Sequence, residues 1–89
     1  MEMLIHYTSL PEGMDLPTFE DQLADVLDDG GWMLASRFEN GVGIVEVELE
    51  DEKLNPKHAI VAVKAYLQRA AFAKDTAIEL AGKPVGIYE

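Results

Sequence analysis

The sequence predicts a small α+β fold with the element order β-α-β-β-α-β, and three observations lead to this prediction. The first residues alternate in hydrophobicity as a strand does. Two segments, residues 18–29 and 56–72, carry apolar residues at helical spacing. Between them, Asn40-Gly41 separates two further alternating segments and is a strong signal for a two-residue hairpin. The 89 residues leave room for a single domain, which we expect to span residues 1–89.

The first strand and the loop after it are marked by alternation and by turn residues. Within residues 2–8, Met3, Ile5 and Tyr7 share one side and are expected to face the core. Residues 9–17 contain two prolines and a glycine, which predicts a loop before the first helix.

The first helix is expected over residues 18–29. Thr18 is the predicted N-cap, with Asp21 three residues later as the acid of a capping box. Two glycines at positions 30 and 31 would end the helix. Its buried stripe consists of Phe19, Leu23, Val26 and Leu27.

The hairpin is expected to pair residues 32–39 with residues 42–50, with Glu39 facing Val42. In this register the two strands agree about which side is buried, because apolar residues lie opposite one another. The register places Trp32 opposite Leu49, Met33 opposite Glu48, Leu34 opposite Val47, Ala35 opposite Glu46, Ser36 opposite Val45 and Arg37 opposite Ile44.

The second helix is expected over residues 56–72, because Asn55-Pro56 supplies an N-cap followed by proline at the first helical position. Residues 75–81 are the last main strand, and a turn at residues 82–84 leads into a short terminal strand over residues 85–88. The core residues predicted from all elements are Ile5, Leu23, Leu27, Trp32, Leu34, Val47, Ile60, Val63, Leu67 and Ile78.

This order of elements resembles the ferredoxin-like two-layer sandwich. The resemblance implies an antiparallel sheet in the order 4-1-3-2, with both helices on one face and the short C-terminal strand as an addition. The first and third strands become central neighbours, and we expect them to pair in parallel. The other sheet face would be open, and we expect a second copy or another partner to cover its apolar patch, with a symmetric dimer as the favoured cover. The residues placed on this open or dimer face are Leu4, His6, Met33, Ala35, Arg37 and Ile44.

Composition excludes several kinds of chemistry. The chain has no cysteine, which removes disulfides, thiolate nucleophiles and iron–sulfur clusters. It has no apolar run of about 18 residues and no signal-peptide pattern, so we expect a cytoplasmic protein that does not act at a membrane. The sequence contains no glycine-rich phosphate loop, calcium loop or recognised metal-ligand spacing, so we expect no cofactor and no metal.

The formal net charge of −10 is unevenly distributed along the chain. Residues 1–52 contain 14 acidic residues and a single base, Arg37, whereas residues 53–89 contain six bases and three acids. Such a charge repels a phosphate backbone, so direct binding of nucleic acid is not expected. An RNA-recognition motif is excluded as well, since residues 43–50 present glutamates where that motif presents aromatic and basic residues.

An acidic stripe on the first helix is the candidate partner-binding surface. Like charges at i, i+4 repel one another, and acids near a helix C-terminus oppose the helix dipole. Because this arrangement lowers helix stability without local gain, we interpret it as functional; the alternative is a solvated face. The stripe consists of Asp21, Asp25, Asp28 and Asp29, and the carboxylates that would assist it are Glu46, Glu48, Glu50, Asp51 and Glu52.

His6 is the candidate base for an enzymatic interpretation. The predicted sheet places it beside Glu46 or Glu48, as a base with an orienting carboxylate. The alternative is a histidine used in packing or at an interface, and no further group completes a catalytic set, so no catalytic residue is assigned. Arg37 and Glu46 are more simply a cross-strand ion pair.

We therefore expect a non-catalytic acidic module that binds another protein with a basic surface. Its concrete form would be a small inhibitor, similar in size and charge to immunity and anti-CRISPR proteins, whose carboxylates mimic nucleic acid at a basic site. The alternative is a homodimeric ligand-sensing or scaffolding domain with the ferredoxin-like layout. An enzyme that uses His6 as a base is the third hypothesis.

Overall fold

The computed structural model describes residues 2–27, 30–49, 56–80 and 82–88, with only the backbone described for residues 56–59. These residues form one antiparallel five-stranded sheet and two helices, so the small α+β class is confirmed. The elements are β1 (Glu2–Tyr7), α1 (Leu16–Leu27), β2 (Gly31–Glu39), β3 (Val42–Leu49), α2 (Pro56–Arg69), β4 (Ala77–Leu80) and β5 (Lys83–Gly86).

The strands lie in the order β2-β3-β1-β4-β5. This order differs from the predicted 4-1-3-2, because β5 pairs with β4 and extends the same sheet to five strands. The expected parallel pairing of the first and third strands is wrong: β1 and β3 are antiparallel, with Ile5 opposite Val45. The connection through α1 brings the chain back so that β2 runs parallel to β1, and the hairpin then reverses the chain, so β3 between them is antiparallel to both.

Both helices cover the same face of the sheet. Alternate residues of β1 and β3 point towards the helices and are buried, while the residues between them are only half-buried on the other face. One hydrophobic cluster joins the sheet to α1 and α2. Its buried members are Met3, Ile5, Tyr7, Phe19, Leu23, Leu27, Val45, Val47, Leu49, Val63, Tyr66, Leu67, Phe72, Ile78 and Ile87.

Most of the predicted core residues are buried, and the two that are exposed lie on β2. Trp32 and Leu34 are both exposed, so their predicted burial is wrong. Ile60 is half-buried and packs against the cluster. The predicted residues that the structure does bury are Ile5, Leu23, Leu27, Val47, Val63, Leu67 and Ile78.

A bulge in β2 explains why Trp32 and Leu34 are exposed. Glu39 faces Val42 as predicted, and the turn has left-handed backbone at Asn40 (φ 53°) and Gly41 (φ 80°), as a tight hairpin requires. The predicted register holds as far as Ala35 opposite Glu46, but the next pair is Met33 opposite Val47. The extra residue, Leu34, moves every earlier side chain of β2 to the other face.

α1 begins two residues before the predicted start, because its N-cap is Asp15. The Asp15 carboxylate accepts a 2.9 Å hydrogen bond from the Thr18 backbone N–H, and the Asp15 carbonyl accepts one from the Phe19 N–H. The hydrogen bonds from Thr18 lower the pKa of the Asp15 carboxyl. The predicted N-cap, Thr18, therefore lies in the first turn of the helix.

α2 starts at Pro56, as predicted, and ends at Arg69, three residues before the predicted end. The Phe72 N–H donates to the Leu67 carbonyl and the Ala71 N–H to the Gln68 carbonyl, which is the Schellman pattern of helix termination. Ala71 adopts the left-handed backbone conformation usually taken by glycine, with φ 65°. This turn directs the buried ring of Phe72 into the core. Of the helices in the described parts of the chain, neither is long and apolar enough to cross a membrane.

Candidate functional site

β2 carries the three most exposed large apolar side chains of the described strands. Trp32 and Leu34 are each 51% exposed and Phe38 is 60% exposed. β2 hydrogen-bonds only to β3, so its other edge forms no pairing within the described chain. Trp32 faces the open side of the sheet and Phe38 the helix-covered side, so the two aromatic residues flank the free edge of β2 from opposite faces.

The bulge exposes Trp32 and Leu34, because it places Met33 and not Leu34 opposite Val47 in the core. Met33 takes that place and packs against the hydrophobic cluster, and its flexible side chain suits an irregular site. Trp32 then faces the open side opposite Glu48. Gly31 permits the close approach of the strands, since a Cβ there would lie 2.6 Å from the Glu48 carbonyl oxygen.

The two edges of the sheet differ sharply. β5 has four residues, and Lys83 and Pro84 are among them. Short strands, lysine and proline protect a sheet edge against pairing with another chain. β2 has nine residues and contains neither lysine nor proline. Its protective features are the bulge at Leu34 and the charged side chains of Arg37 and Glu39, but residues 35–39 pair regularly with β3 and their outer edge has no partner strand within the described chain.

A cleft of about 430 Å³ lies beside this regular part of β2. It is formed where the end of β1, the loop after it and the start of α1 meet the last residues of β2. The lining residues are Tyr7, Thr8, Ser9, Leu10, Leu16, Ser36, Arg37 and Phe38.

The ring of Tyr7 forms a wall of the cleft and belongs to an aromatic cluster. Its centroid lies 5.7 Å from that of Phe19, 6.4 Å from that of Phe72 and 6.3 Å from that of Phe38. The ring lies directly over Gly43, where a Cβ would come within 2.1 Å of Tyr7 Cζ. Burial, and secondarily the negative charge of Glu20, raises the pKa of the Tyr7 hydroxyl.

Arg37 lies between two carboxylates at the edge of the open face. Its Nη1 donates to Glu46 Oε2 at 3.0 Å, and its Nε lies 3.6 Å from Glu39 Oε1. The predicted cross-strand pair of Arg37 and Glu46 is therefore confirmed. Because Glu46 already compensates the charge of Arg37, this edge carries no net positive charge.

His6 does not pair with either predicted glutamate. Its Nε2 lies 3.4 Å from Glu79 Oε1 on β4, and the geometry does not make a hydrogen bond. Glu46 is instead engaged by Arg37. The side chain of His6 lies on the open sheet face and does not line the cleft, so this pair and the cleft are separate features.

The predicted acidic surface is divided between two sides of the molecule. Asp21 and Asp25 are exposed on α1, in the helical layer. Glu46 and Glu48 alternate with buried Val45 and Val47, so they lie on the opposite, open face of the sheet. These four carboxylates therefore do not form one contact surface. The other predicted members, Asp28, Asp29, Glu50, Asp51 and Glu52, lie outside the described residues.

The open face holds most of the residues predicted for it. Leu4, His6 and Ile44 are half-buried there, while Ala35 and Arg37 are exposed. Met33 was expected on this face, but the bulge turns it towards the helices, so that assignment is wrong. Trp32 occupies the open face in its place.

The sequence does contain one signal for apolar exposure on β2, which alternation alone does not reveal. Trp32, Met33 and Leu34 are three large apolar residues in succession, and a strand with one buried face cannot bury all three. In the described residues, no group of three or more His, Asp or Glu side chains is arranged to hold a metal ion.

Comparisons with known proteins identify no relative: no protein-family model, no curated protein and no solved structure matches the chain. Its function must therefore be argued from its own residues.

Proposed function

We propose that this chain is a non-catalytic module that binds another protein through the β2 edge of its sheet. The observation that carries the proposal is the exposure of Trp32, Leu34 and Phe38, at 51%, 51% and 60%, on a single edge strand. Large aromatic side chains with adjoining apolar residues are the usual anchors of protein interfaces. The adjacent cleft offers a concave site for a side chain of the partner.

The charge of the chain selects the kind of partner. With a net charge of −10, the molecule attracts a basic protein and repels an acidic one. α1 packs beside β2 and presents Asp21 and Asp25 to solvent. A partner docked at β2 would therefore approach a strongly negative neighbourhood. The concrete form of this proposal is a small cytoplasmic inhibitor, of the immunity or anti-CRISPR type, that occupies a basic nucleic-acid site on an enzyme.

A homodimeric ligand-sensing or scaffolding domain is the second candidate. It is supported by the open sheet face, where Leu4 and Ile44 are half-buried by their neighbours and no described helix covers them. β1 lies between β3 and β4, a central position that agrees with a ferredoxin-like layout extended by β5. Such a dimer would bury the open face rather than the β2 edge.

An affinity capture experiment tests the proposal. The wild-type chain, Trp32→Lys and the control Val61→Lys are immobilised and exposed to lysate at low and at moderate salt. Val61 is a matched control because it is 65% exposed on α2 and undergoes the same change of charge. We expect a basic protein to bind the wild type and the control, to bind Trp32→Lys much more weakly, and to bind less at moderate salt.

The outcomes separate the candidates. Capture of a partner that both lysine variants retain equally would refute the β2 edge as the binding site. Self-association without capture of another protein would support the homodimer, and Trp32→Lys should weaken such a dimer because Trp32 lies on the open face opposite Glu48. In the same assay, Asp25→Lys tests the acidic stripe: if binding of the basic partner is unchanged, the exposed carboxylates of α1 are only a solvated face.

A further inference from the structure

We propose that the partner is recognised by an extended, basic segment that adds to β2 over residues 35–39 as a sixth strand and places an apolar side chain in the cleft beside Phe38. This inference rests on the proposed function and specifies its chemistry. It follows from the backbone of the edge strand, from the cleft and from the charge around both.

The backbone of residues 35–39 is suited to strand addition. This run pairs regularly with β3, from Ala35 opposite Glu46 to Glu39 opposite Val42. On an edge strand, alternate residues direct their N–H and C=O groups away from the sheet, where an added strand can bond them. The bulge at Leu34 interrupts the edge before this run, so a segment would pair with residues 35–39 and not with the full length of β2.

The cleft supplies side-chain selectivity. Ser36 and Phe38 both line it, and they lie on the helix-covered face of β2, opposite Val45 and Gly43. A strand added to this edge would direct alternate side chains to that same face. One of them would lie beside Phe38 and Tyr7, in a space of about 430 Å³, which is within the range of ordinary ligand pockets.

The charge around the site favours a basic segment. The negative charge of Glu20 acts on the hydroxyl of Tyr7, a residue that lines the cleft, and contributes to raising its pKa. Glu39 ends the run with its side chain 64% exposed. Arg37, the single basic residue of β2, is already held by Glu46 at 3.0 Å. Glu39 Oε1 also lies 3.6 Å from Arg37 Nε, so two carboxylates share one cation and leave one net negative charge for a lysine or arginine of the added strand.

The same charges disfavour a second copy as the occupant. Each copy carries a net charge of −10, so association brings two strongly acidic surfaces together. An antiparallel pairing that overlaps the whole run 35–39 with itself is centred on Arg37 and places the two Arg37 side chains opposite each other. Like charges in directly opposite positions destabilise a strand pair.

Selection from displayed random linear peptides tests the inference. Peptides are selected on the folded wild-type chain, synthesised, and measured for affinity to the wild type, to Phe38→Lys and to the control Val61→Lys. Both variants replace a side chain that is more than half exposed with lysine, and circular dichroism confirms that each remains folded. We expect enriched peptides with alternating apolar and Lys or Arg residues. Phe38→Lys should weaken their binding by about tenfold or more, and Val61→Lys by less than about twofold.

Amide exchange supplies a readout specific to strand addition. A bound peptide should protect outward-facing N–H groups within residues 35–39, and the protection should be absent in Phe38→Lys. Three results would overturn the inference: no enriched family of peptides, enriched peptides without basic residues, or equal loss of affinity in both variants. A dimer in sedimentation that Phe38→Lys dissociates would show that a second copy occupies the edge. If a captured folded protein depends on Trp32 while no linear peptide binds, the proposed function stands and this inference fails.

Discussion

We predict that position 43 must be glycine because the ring of Tyr7 occupies the space that a Cβ would need. Replacing Gly43 with alanine tests this packing, which the core and the cleft share. The new Cβ would lie 2.1 Å from Tyr7 Cζ and 2.5 Å from both Cε atoms, so the ring must leave its position. That ring is almost fully buried and contacts the rings of Phe19 and Phe72. The backbone of Gly43 is ordinary strand, so alanine introduces no left-handed strain there.

The stability expected to be lost in Gly43→Ala lies between the costs of two known kinds of core substitution. Overpacking a core costs about 1–3 kcal/mol, while losing the packing of a buried aromatic side chain costs about 3–5 kcal/mol. The new Cβ would overlap several atoms of the Tyr7 ring, so a small movement of the ring cannot relieve the contact. We therefore expect Gly43→Ala to lower the free energy of unfolding by about 3 kcal/mol. A domain of this length has a total stability of about 4–13 kcal/mol, so the variant should remain measurable by urea unfolding.

A double-mutant cycle with Tyr7→Val isolates the cause. Tyr7→Val removes the ring but retains a residue that favours strands. With the ring absent, Gly43→Ala should no longer destabilise, and the smaller entropy of the unfolded chain should raise stability by about 0.5–1 kcal/mol. If Gly43→Ala costs the same in both backgrounds, the ring is not the reason for glycine at this position, and the reasoning is refuted.

Three further predictions concern the helix ends and the overall charge. Ala71→Gly should raise the free energy of unfolding by about 0.5–1 kcal/mol, because a left-handed residue with a side chain is strained; an unchanged or lower urea midpoint would contradict this. Asp15 has a pKa below its unfolded value, so its stabilisation is present above the unfolded pKa and is lost as pH falls through the folded pKa. Asp15→Asn, which keeps the cap, should therefore reduce the fall in thermal midpoint on acidification; an identical acid response in both proteins would show that Asp15 does not contribute to it. Finally, raising ionic strength to about 0.15 M, where the Debye length is about 8 Å, should raise the thermal midpoint at neutral pH by screening the net charge of −10. A lower midpoint would contradict net repulsion.

Local patterns in the sequence predicted the elements well where neighbouring residues decide the structure. Asn40-Gly41 formed the expected hairpin turn, since both residues tolerate left-handed backbone. Pro56 begins α2 as expected. The errors at α1 and α2 have local causes as well: Asp15 competed with Thr18 as N-cap, and Ala71 ended the helix without glycine. Helix-end geometry of this kind is not visible in composition alone.

The candidate site could not be predicted from periodicity, because the position of the bulge at Leu34 depends on how β2 packs beside β3 and not on the sequence of β2 alone. A regular register would have buried Trp32 and Leu34 and exposed Met33 on the open face. The packed core accommodated Met33 opposite Val47 instead, and a shift of one residue reversed every earlier side chain of β2. The exposure of Trp32 and Leu34 is thus a consequence of packing and not of pattern.

The sequence by itself determined the class of fold, the hairpin, most of the buried residues and the uneven negative charge, because these depend on residue type and on spacing along the chain. The tertiary structure alone decided which carboxylates share a surface, which glutamate approaches His6, and which strand edge is open. Those relations join residues distant in sequence, such as Tyr7 with Phe38 and His6 with Glu79. They depend on strand order and register, which are set when the helices and the sheet pack together.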